Sequence, residues 1–203
     1  MQVLCLDLEG VLVPEIWIEF SQRTGIAEFR RTTRDEPDYD KLMRFRLALL
    51  AQHGLKLADI QQVIGGMAPL PGAREFLDAM RERFQVIVLS DTFYEFAHPL
   101  MRQLGRPTLF CHRLLTDGEG RVSDYRLRQP DQKRMAVQAL QGLNFRVLAA
   151  GDSYNDTGML AAADAGFLIH APAAIEAQFP QFPATHSYAE LRAAIDEAVR
   201  GWG

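Results

Sequence analysis

Three short apolar runs in this chain each end in an acidic cluster. Residues 3–6, Val-Leu-Cys-Leu, lead into Asp7-Leu8-Glu9-Gly10. Residues 86–89, Val-Ile-Val-Leu, lead into Ser90-Asp91-Thr92. Residues 147–150, Val-Leu-Ala-Ala, lead into Gly151-Asp152-Ser153-Tyr154-Asn155-Asp156. Two further runs, 108–111 and 166–169, complete a set of five strand candidates. Stretches of helical period at 73–83, 93–104, 133–140 and 157–163 separate them, and such alternation specifies an α/β fold built on a parallel sheet. Ligands of open parallel sheets bind outside the carboxyl ends of the strands, so all three clusters are expected to face one crevice. Carboxylates crowded there repel one another, and oxygen ligands favour Mg2+ over zinc.

One segment interrupts the alternation. Residues 14–69 hold no strand candidate, only helix-like pieces at 15–23, 39–52 and 58–64, and they end at Pro69-Leu70-Pro71-Gly72. The expected organisation is an α/β core over 1–13 and 70–203, with 14–69 a helical cap inserted after the first strand. The alternative is that these helices simply cover one face of the sheet. A two-strand excursion is expected over 114–127, turning at Asp117-Gly118-Glu119-Gly120. A final helix is expected to begin at Ser187, whose hydroxyl suits an N-cap.

Composition narrows the function. The 203 residues carry 22 basic and 26 acidic side chains, a net charge of −4 that argues against a nucleic-acid partner. No stretch approaches the roughly 20 apolar residues that a bilayer demands. The first residues carry two acids and no basic leader, so a cytoplasmic location is expected. The two cysteines, Cys5 and Cys111, lie in apolar runs and read as buried free thiols. The five histidines show no ligand spacing and read as surface or packing residues.

Each acidic cluster also has a structural reading. Ser153 and Asp156 fit a capping box, and Ser90 or Asp91 could cap the helix expected at 93–104. Their joint order along the chain favours chemistry, with a basic residue, Lys133, in the segment between the second and third clusters.

In this order the motifs resemble the four signatures of the haloacid dehalogenase (HAD) superfamily of phosphotransferases: Asp7 to Leu12, Ser90, Lys133, and Gly151 to Asp156. The insertion resembles the superfamily's small cap, which implies a Rossmann-like doubly wound core. Asp-Leu-Glu-Gly-Val-Leu-Val-Pro-Glu-Ile-Trp at 7–17 and Leu-Ser-Asp-Thr-Phe-Tyr-Glu-Phe at 89–96 are similar to the phosphoserine phosphatases. The likeness is nearest to the bacterial branch that also transfers the phosphoryl group from phosphoserine to homoserine.

The resemblance implies that Asp7 attacks phosphorus to form an aspartyl-phosphate. It implies Mg2+ held by Asp7, Asp152 and the main-chain carbonyl of Glu9, with Asp156 orienting the metal shell. Lys133 and Ser90 would hold phosphoryl oxygens, with Asp91 and Asn155 beside the substrate. A carboxylate about 4 Å from a doubly charged phosphoryl group costs ~8 kcal/mol at an effective dielectric near 20, so these cations are obligatory. Glu9 stands where the superfamily usually has Asp, as general acid and then base. Asp91-Thr92 stands where phosphoserine phosphatases usually carry two glycines. Both departures agree with the transferase-like branch.

Substrate selection is expected from the cap, with Glu15 taking an ammonium and Arg46 a carboxylate. Arg46 could instead be a solvated helix charge, like Arg44. The basic run Arg30-Arg31-Thr32-Thr33-Arg34 reads as a solvated turn or an attractor of anions, and Trp17 and Phe20 as cap packing. The expected partners are O-phospho-L-serine and L-homoserine, with the chain a monomer or homodimer. Two other functions fit the same residues: a phosphatase for another small phosphomonoester, and a receiver-like module that stores a phosphoryl group on Asp7. The inserted helices count against the module.

Overall fold

The computed structural model describes residues 1–202 apart from 33, 34 and 37. Thr33 and Arg34 of the basic run therefore lie outside the described residues. The chain begins with β1 (Gln2–Leu6), followed by α1 (Ile16–Thr24), α2 (Tyr39–Gln52), α3 (Leu57–Gly65) and α4 (Ala73–Arg81). Then come β2 (Gln85–Phe93), α5 (Tyr94–Gln103), β3 (Thr108–Thr116), β4 (Val122–Arg126), α6 (Gln132–Gly142) and β5 (Arg146–Gly151). The last third holds α7 (Thr157–Ala162), β6 (Ala165–Ile169), α8 (Ala173–Gln178), β7 (Ala184–Thr185) and α9 (Tyr188–Arg200).

The strands form one sheet in the order β4-β3-β2-β1-β5-β6-β7. Every neighbouring pair is parallel except β3 and β4, which are antiparallel; the expected run at 108–111 and the first arm of the excursion expected over 114–127 are one continuous strand, β3, and only β4 is added beyond it. The chain winds outward from β1 to β3 on one side and then starts again at β5 on the other. The strand order therefore reverses between β1 and β5, where such sheets open a crevice. The acidic clusters follow β1, β2 and β5, three adjacent strands at that switch point.

Both faces of the sheet are covered. Val3 and Cys5 of β1 point with Val147 and Ala149 of β5 into a layer against Ala136 and Val137 of α6. The alternate residues Leu4, Leu6, Leu148 and Ala150 belong to the opposite layer, with Leu77 and Met80 of α4 and Leu191 and Ile195 of α9. That period of two, apolar on both faces, is what a fully covered parallel strand requires. Cys5 and Cys111 are both buried and free.

Helices α1 to α3 lie between β1 and β2 in sequence, and no strand interrupts them among the described residues. Trp17 stacks on Phe29, Phe20 meets both edge-to-face, and Trp17 meets Phe96 of α5 in the same way, so the apolar interior of this segment is continuous with that of the sheet. The N–H of Leu57 also donates to the carbonyl of Gly120 in the β3–β4 turn, at 2.9 Å. Ser187 caps α9 as its sequence implies, its hydroxyl accepting from the Glu190 N–H.

One capping assignment is overturned. Neither Ser90 nor Asp91 caps α5, because β2 continues through both to Phe93 and α5 begins at Tyr94 with no side-chain cap. Pairing with β3 jumps from Leu89↔Phe110 to Phe93↔His112, so residues 90–92 form a bulge. A bulge re-aims side chains locally, and here it presents the second cluster to the crevice. The elements α8 and β7 are short, six and two residues, and their sequences carry no clear periodic signal.

Candidate active site

Asp7 follows β1 directly, and the Leu8 N–H donates to its Oδ1 at 2.7 Å. Gly10, three residues on, has φ +76°, and a Cβ there would lie 2.4 Å from Oδ2 of Asp152. The loop after β1 can approach the loop after β5 only because position 10 has no side chain. Gly151 is closed in the same way, since a Cβ on it would meet the Cβ of Asp156 at 2.4 Å.

Asp156 is fully buried and ties the third cluster together. Its Oδ2 accepts from the N–H groups of Asp152 and Ser153 at 3.0 and 3.1 Å. The Ser153/Asp156 capping box expected from the sequence is therefore present, and it also aims Oδ1 at Lys133. Lys133, in the first turn of α6, is 3% exposed. Its Nζ lies 2.8 Å from Oδ1 of both Asp7 and Asp156 and 3.7 Å from Oδ2 of Asp91.

Electrostatics follow from this crowding. Burial and the neighbouring carboxylates of Asp156 and Asp152 push the Asp7 carboxyl well above its ordinary range, although Lys133 opposes them. Asp152 is pushed up to about 7 by burial, Asp156 and Glu15. Burial works to discharge Lys133, yet Asp156, Asp7 and Asp91 overcome it and hold the ammonium well above its usual value. Asp91 is also buried, but Lys133, His112 and the Asn155 amide hold its carboxyl well below the usual range.

One oxygen from each of Asp7, Asp152 and Asp156 can lie within 4.8 Å of the others. The donors are all carboxylate oxygens, which suit a hard divalent cation. One lysine cannot neutralise three buried carboxylates, and the raised Asp7 and Asp152 show the uncompensated charge. These residues therefore fit a metal ion.

The Glu9 carboxylate lies apart from that triad. It accepts from the Ile16 N–H at 2.8 Å, and burial together with Glu15 pushes it up to about 7, against the pull of Arg46 and the Thr92 hydroxyl. Glu15 is exposed and precedes α1 at the rim. Arg46 of α2 is 7% exposed, so it is not the solvated charge that Arg44 is. Its Nη2 donates to the Arg31 carbonyl at 2.8 Å, and its guanidinium lies 4.6 Å from the Trp17 ring centroid. Its Nε is buried and has no hydrogen-bond partner among the described residues. Asn155 donates to Asp91 at 3.0 Å, and the Ser90 hydroxyl accepts from the Thr92 N–H at 3.2 Å.

Asp7, Glu9, Glu15, Arg46, Ser90, Asp91, Lys133, Asp152 and Asn155 all line one cavity of about 840 Å3. Asp156 stands behind it, against Lys133. Among the described residues, five lining carboxylates face two cations, Arg46 and Lys133. The expected residues thus converge.

Sequence reasoning missed several of their supports. Gln132, adjacent to Lys133, donates to the Ser90 carbonyl at 2.7 Å. The Tyr39 hydroxyl donates to the Asp91 carbonyl at 3.1 Å, joining α2 to the bulge. Trp17 underlies Arg46 as well as packing the helices. Proximity to Lys133 could have flagged Gln132; Tyr39 carried no such signal, since its partner is 52 residues away.

A model of the haloacid dehalogenase-like hydrolases matches residues 1–164. A phosphoserine phosphatase from Pseudomonas syringae pv. tomato is 63% identical over 192 residues, covering 95% of this chain and 81% of that protein. The phosphoserine phosphatase ThrH of Pseudomonas aeruginosa is 62% identical over 192 residues, covering 95% of this chain and 94% of that protein. A solved structure described as a phospho-aspartyl intermediate analogue of phosphoserine phosphatase shares the fold, with a TM-score of 0.77 over 97% of this chain and 98% of that chain at 18% identity. An acidic switch-point crevice, the lysine paired to its first aspartate and the matched 164 residues agree: this chain belongs to the haloacid dehalogenase-like hydrolase family.

Proposed function

We propose that this chain is a divalent-metal-dependent phosphoserine phosphatase that also passes the phosphoryl group to homoserine. The observation that carries the substrate class is Arg46. A buried guanidinium whose Nε has no partner among the described residues, sharing a cavity with Asp7 and Lys133, is suited to an anion other than the phosphoryl group. A phosphorylated amino acid supplies that second anion as its carboxylate, and Glu15 at the rim suits its ammonium. The names of the two Pseudomonas relatives support the same reading.

In this mechanism a carboxylate oxygen of Asp7 bonds to phosphorus while the bond from phosphorus to the serine oxygen breaks. Glu9 gives its proton to the leaving oxygen. Water or the homoserine hydroxyl then loses its proton to Glu9 and attacks phosphorus, which frees Asp7. Lys133 and Ser90 hold phosphoryl oxygens, and Asn155 and Asp91 border them. The metal, Mg2+ by donor chemistry, would be held by Asp7, Asp152 and the Glu9 main-chain carbonyl with Asp156 behind, and when bound it withdraws charge from the phosphoryl oxygens. Residues 14–69 serve as the cap over a core of 1–13 and 70–203. Among the described residues no helix is long and apolar enough to cross a membrane, and the buried thiols suit the cytoplasm.

The test is phosphoserine with Mg2+, with and without L-homoserine, following free phosphate and phosphohomoserine together. Phosphate release that gives way to phosphohomoserine is expected. Turnover of a sugar phosphate or nucleotide without turnover of phosphoserine would move the substrate class elsewhere.

A further inference from the structure

We propose that His112 is a positioning residue for this reaction: it restrains the Asp91 carboxylate, and Asp91 in turn sets the Lys133 ammonium and the Asn155 amide. The inference rests on the phosphatase reading above. His112 is 4% exposed and lies on β3 beside the bulge, in register with Phe93. Its Nδ1 accepts from the Arg128 N–H at 3.1 Å, which assigns the ring proton to Nε2. Nε2 faces Oδ1 of Asp91 at 3.6 Å, an electrostatic contact rather than a short hydrogen bond. The rings of Tyr39 and Phe93 stand 6.4 and 6.3 Å away, centroid to centroid, and confine the imidazole.

The two oxygens of Asp91 have different neighbours. Oδ1 meets His112 and the Gln132 amide, at 3.6 and 3.3 Å. Oδ2 meets the Asn155 amide and Lys133, at 3.0 and 3.7 Å. Asn155 and Lys133 line the cavity while His112 and Gln132 stand behind it, so the carboxylate is held at both oxygens. Lys133 stands 2.8 Å from Asp7 and Asp156 but 3.7 Å from Asp91. Without His112, Oδ1 of Asp91 keeps only the Gln132 amide, and the less restrained carboxylate would turn toward the ammonium and draw it from Asp7.

The experiment uses the full chain and four variants: His112→Phe, His112→Gln, Asp91→Asn and the double variant His112→Phe/Asp91→Asn, each checked for folding by thermal melting. His112→Phe is expected to lower kcat for phosphoserine about tenfold with little change in KM. His112→Gln, which keeps a side-chain donor, is expected to recover most of that loss. In the Asp91→Asn background His112→Phe is expected to add nothing, because the residue acts through Asp91. Losses that multiply, or a glutamine no better than phenylalanine, would overturn the proposal. Imidazole 15N NMR provides a readout that needs no turnover and no folded phenylalanine variant. An Nε2–H tautomer whose proton resonance moves in Asp91→Asn is expected, and an Nδ1–H tautomer would end the idea. Absence of phosphoserine turnover by the parent chain would instead refute the substrate reading, leaving the NMR result to judge His112.

Discussion

The Nζ of Lys133 stands 2.8 Å from Oδ1 of Asp7, with both side chains almost wholly buried. Lysine and aspartate are 126 positions apart in sequence, yet they form one charged unit, because α6 begins just where β1 ends. Burial of Asp7 beside Asp156 and Asp152 keeps its carboxyl well above the ordinary range even so. Replacing it with the isosteric amide removes one of three mutually repelling charges and leaves the packing intact. Asp7→Asn is therefore expected to fold, with a melting temperature in chelator no lower than that of the parent. Its phosphate release is expected to fall by at least about 1,000-fold. Undiminished release by a correctly folded variant would remove Asp7 from the reaction.

The same crowding predicts a response to metal. A cation that binds the native triad and not the unfolded chain stabilises by mass action, so the melting temperature should climb with Mg2+ concentration and fall back on chelation. Asp152→Asn deletes one of the three carboxylates and should flatten that dependence while raising the melting temperature in chelator. Differential scanning calorimetry across a Mg2+ series reads both effects. A variant that responds to Mg2+ like the parent would place the ion elsewhere.

Gly10 offers a backbone test of the same centre. At φ +76° an alanine is strained by about 1 kcal/mol, and its methyl group would enter the space of the Asp152 carboxylate, 2.4 Å from Oδ2. Gly10→Ala should lose activity and Mg2+-induced stabilisation together, with only a small change in melting temperature in chelator. Retention of full activity would mean that the two loops need not approach as they do here.

Much of this centre was legible because it is written at strand ends. Asp7 and Ser90 immediately follow apolar runs and Asp152 comes one glycine after its own, and a parallel sheet brings such ends together whatever the connecting segments do. The runs do not specify strand order, but convergence of the three clusters requires only that their strands end at one edge of the sheet. The bulge at 90–92 was less accessible. Ser and Asp before a helical stretch are common caps, and only the Phe93↔His112 pairing shows that the strand continues past them. The role of His112 had no local signal, because its partners Asp91 and Arg128 are set by the register of β3. Whether Arg46 is solvated or buried likewise depends on how α2 turns against Trp17, which helical periodicity alone leaves open.

Arg46 separates an amino-acid substrate from other phosphomonoesters. Hydrogen bonds to charged groups contribute about 1.5–3 kcal/mol, so Arg46→Ala should lower kcat/KM for phosphoserine by roughly 10- to 100-fold, mainly through KM. A substrate with the same phosphoryl group and no carboxylate, such as phosphoethanolamine, should be affected far less. Equal losses for the two would assign Arg46 to packing on Trp17 rather than to recognition.

Glu9 predicts a pH dependence. Burial and the neighbouring Glu15 raise its carboxyl from an ordinary value of 4.5 to about 7, so it keeps its proton in the folded chain through mildly acid pH. A general acid must be protonated to serve the leaving group, so the single-turnover rate of serine release should hold below pH 7 and decline as pH rises through it. Stability runs in the same direction. Between the two values the unfolded chain has given up a proton that the native chain retains, so native stability decreases as pH rises from 4.5 to about 7 and the deficit then stays constant. Glu9→Gln has no proton to lose. It should be slow at every pH, lack the decline above neutrality, and melt higher than the parent at pH 8. A glutamine variant that kept the parent's declining limb would show that another group supplies the proton.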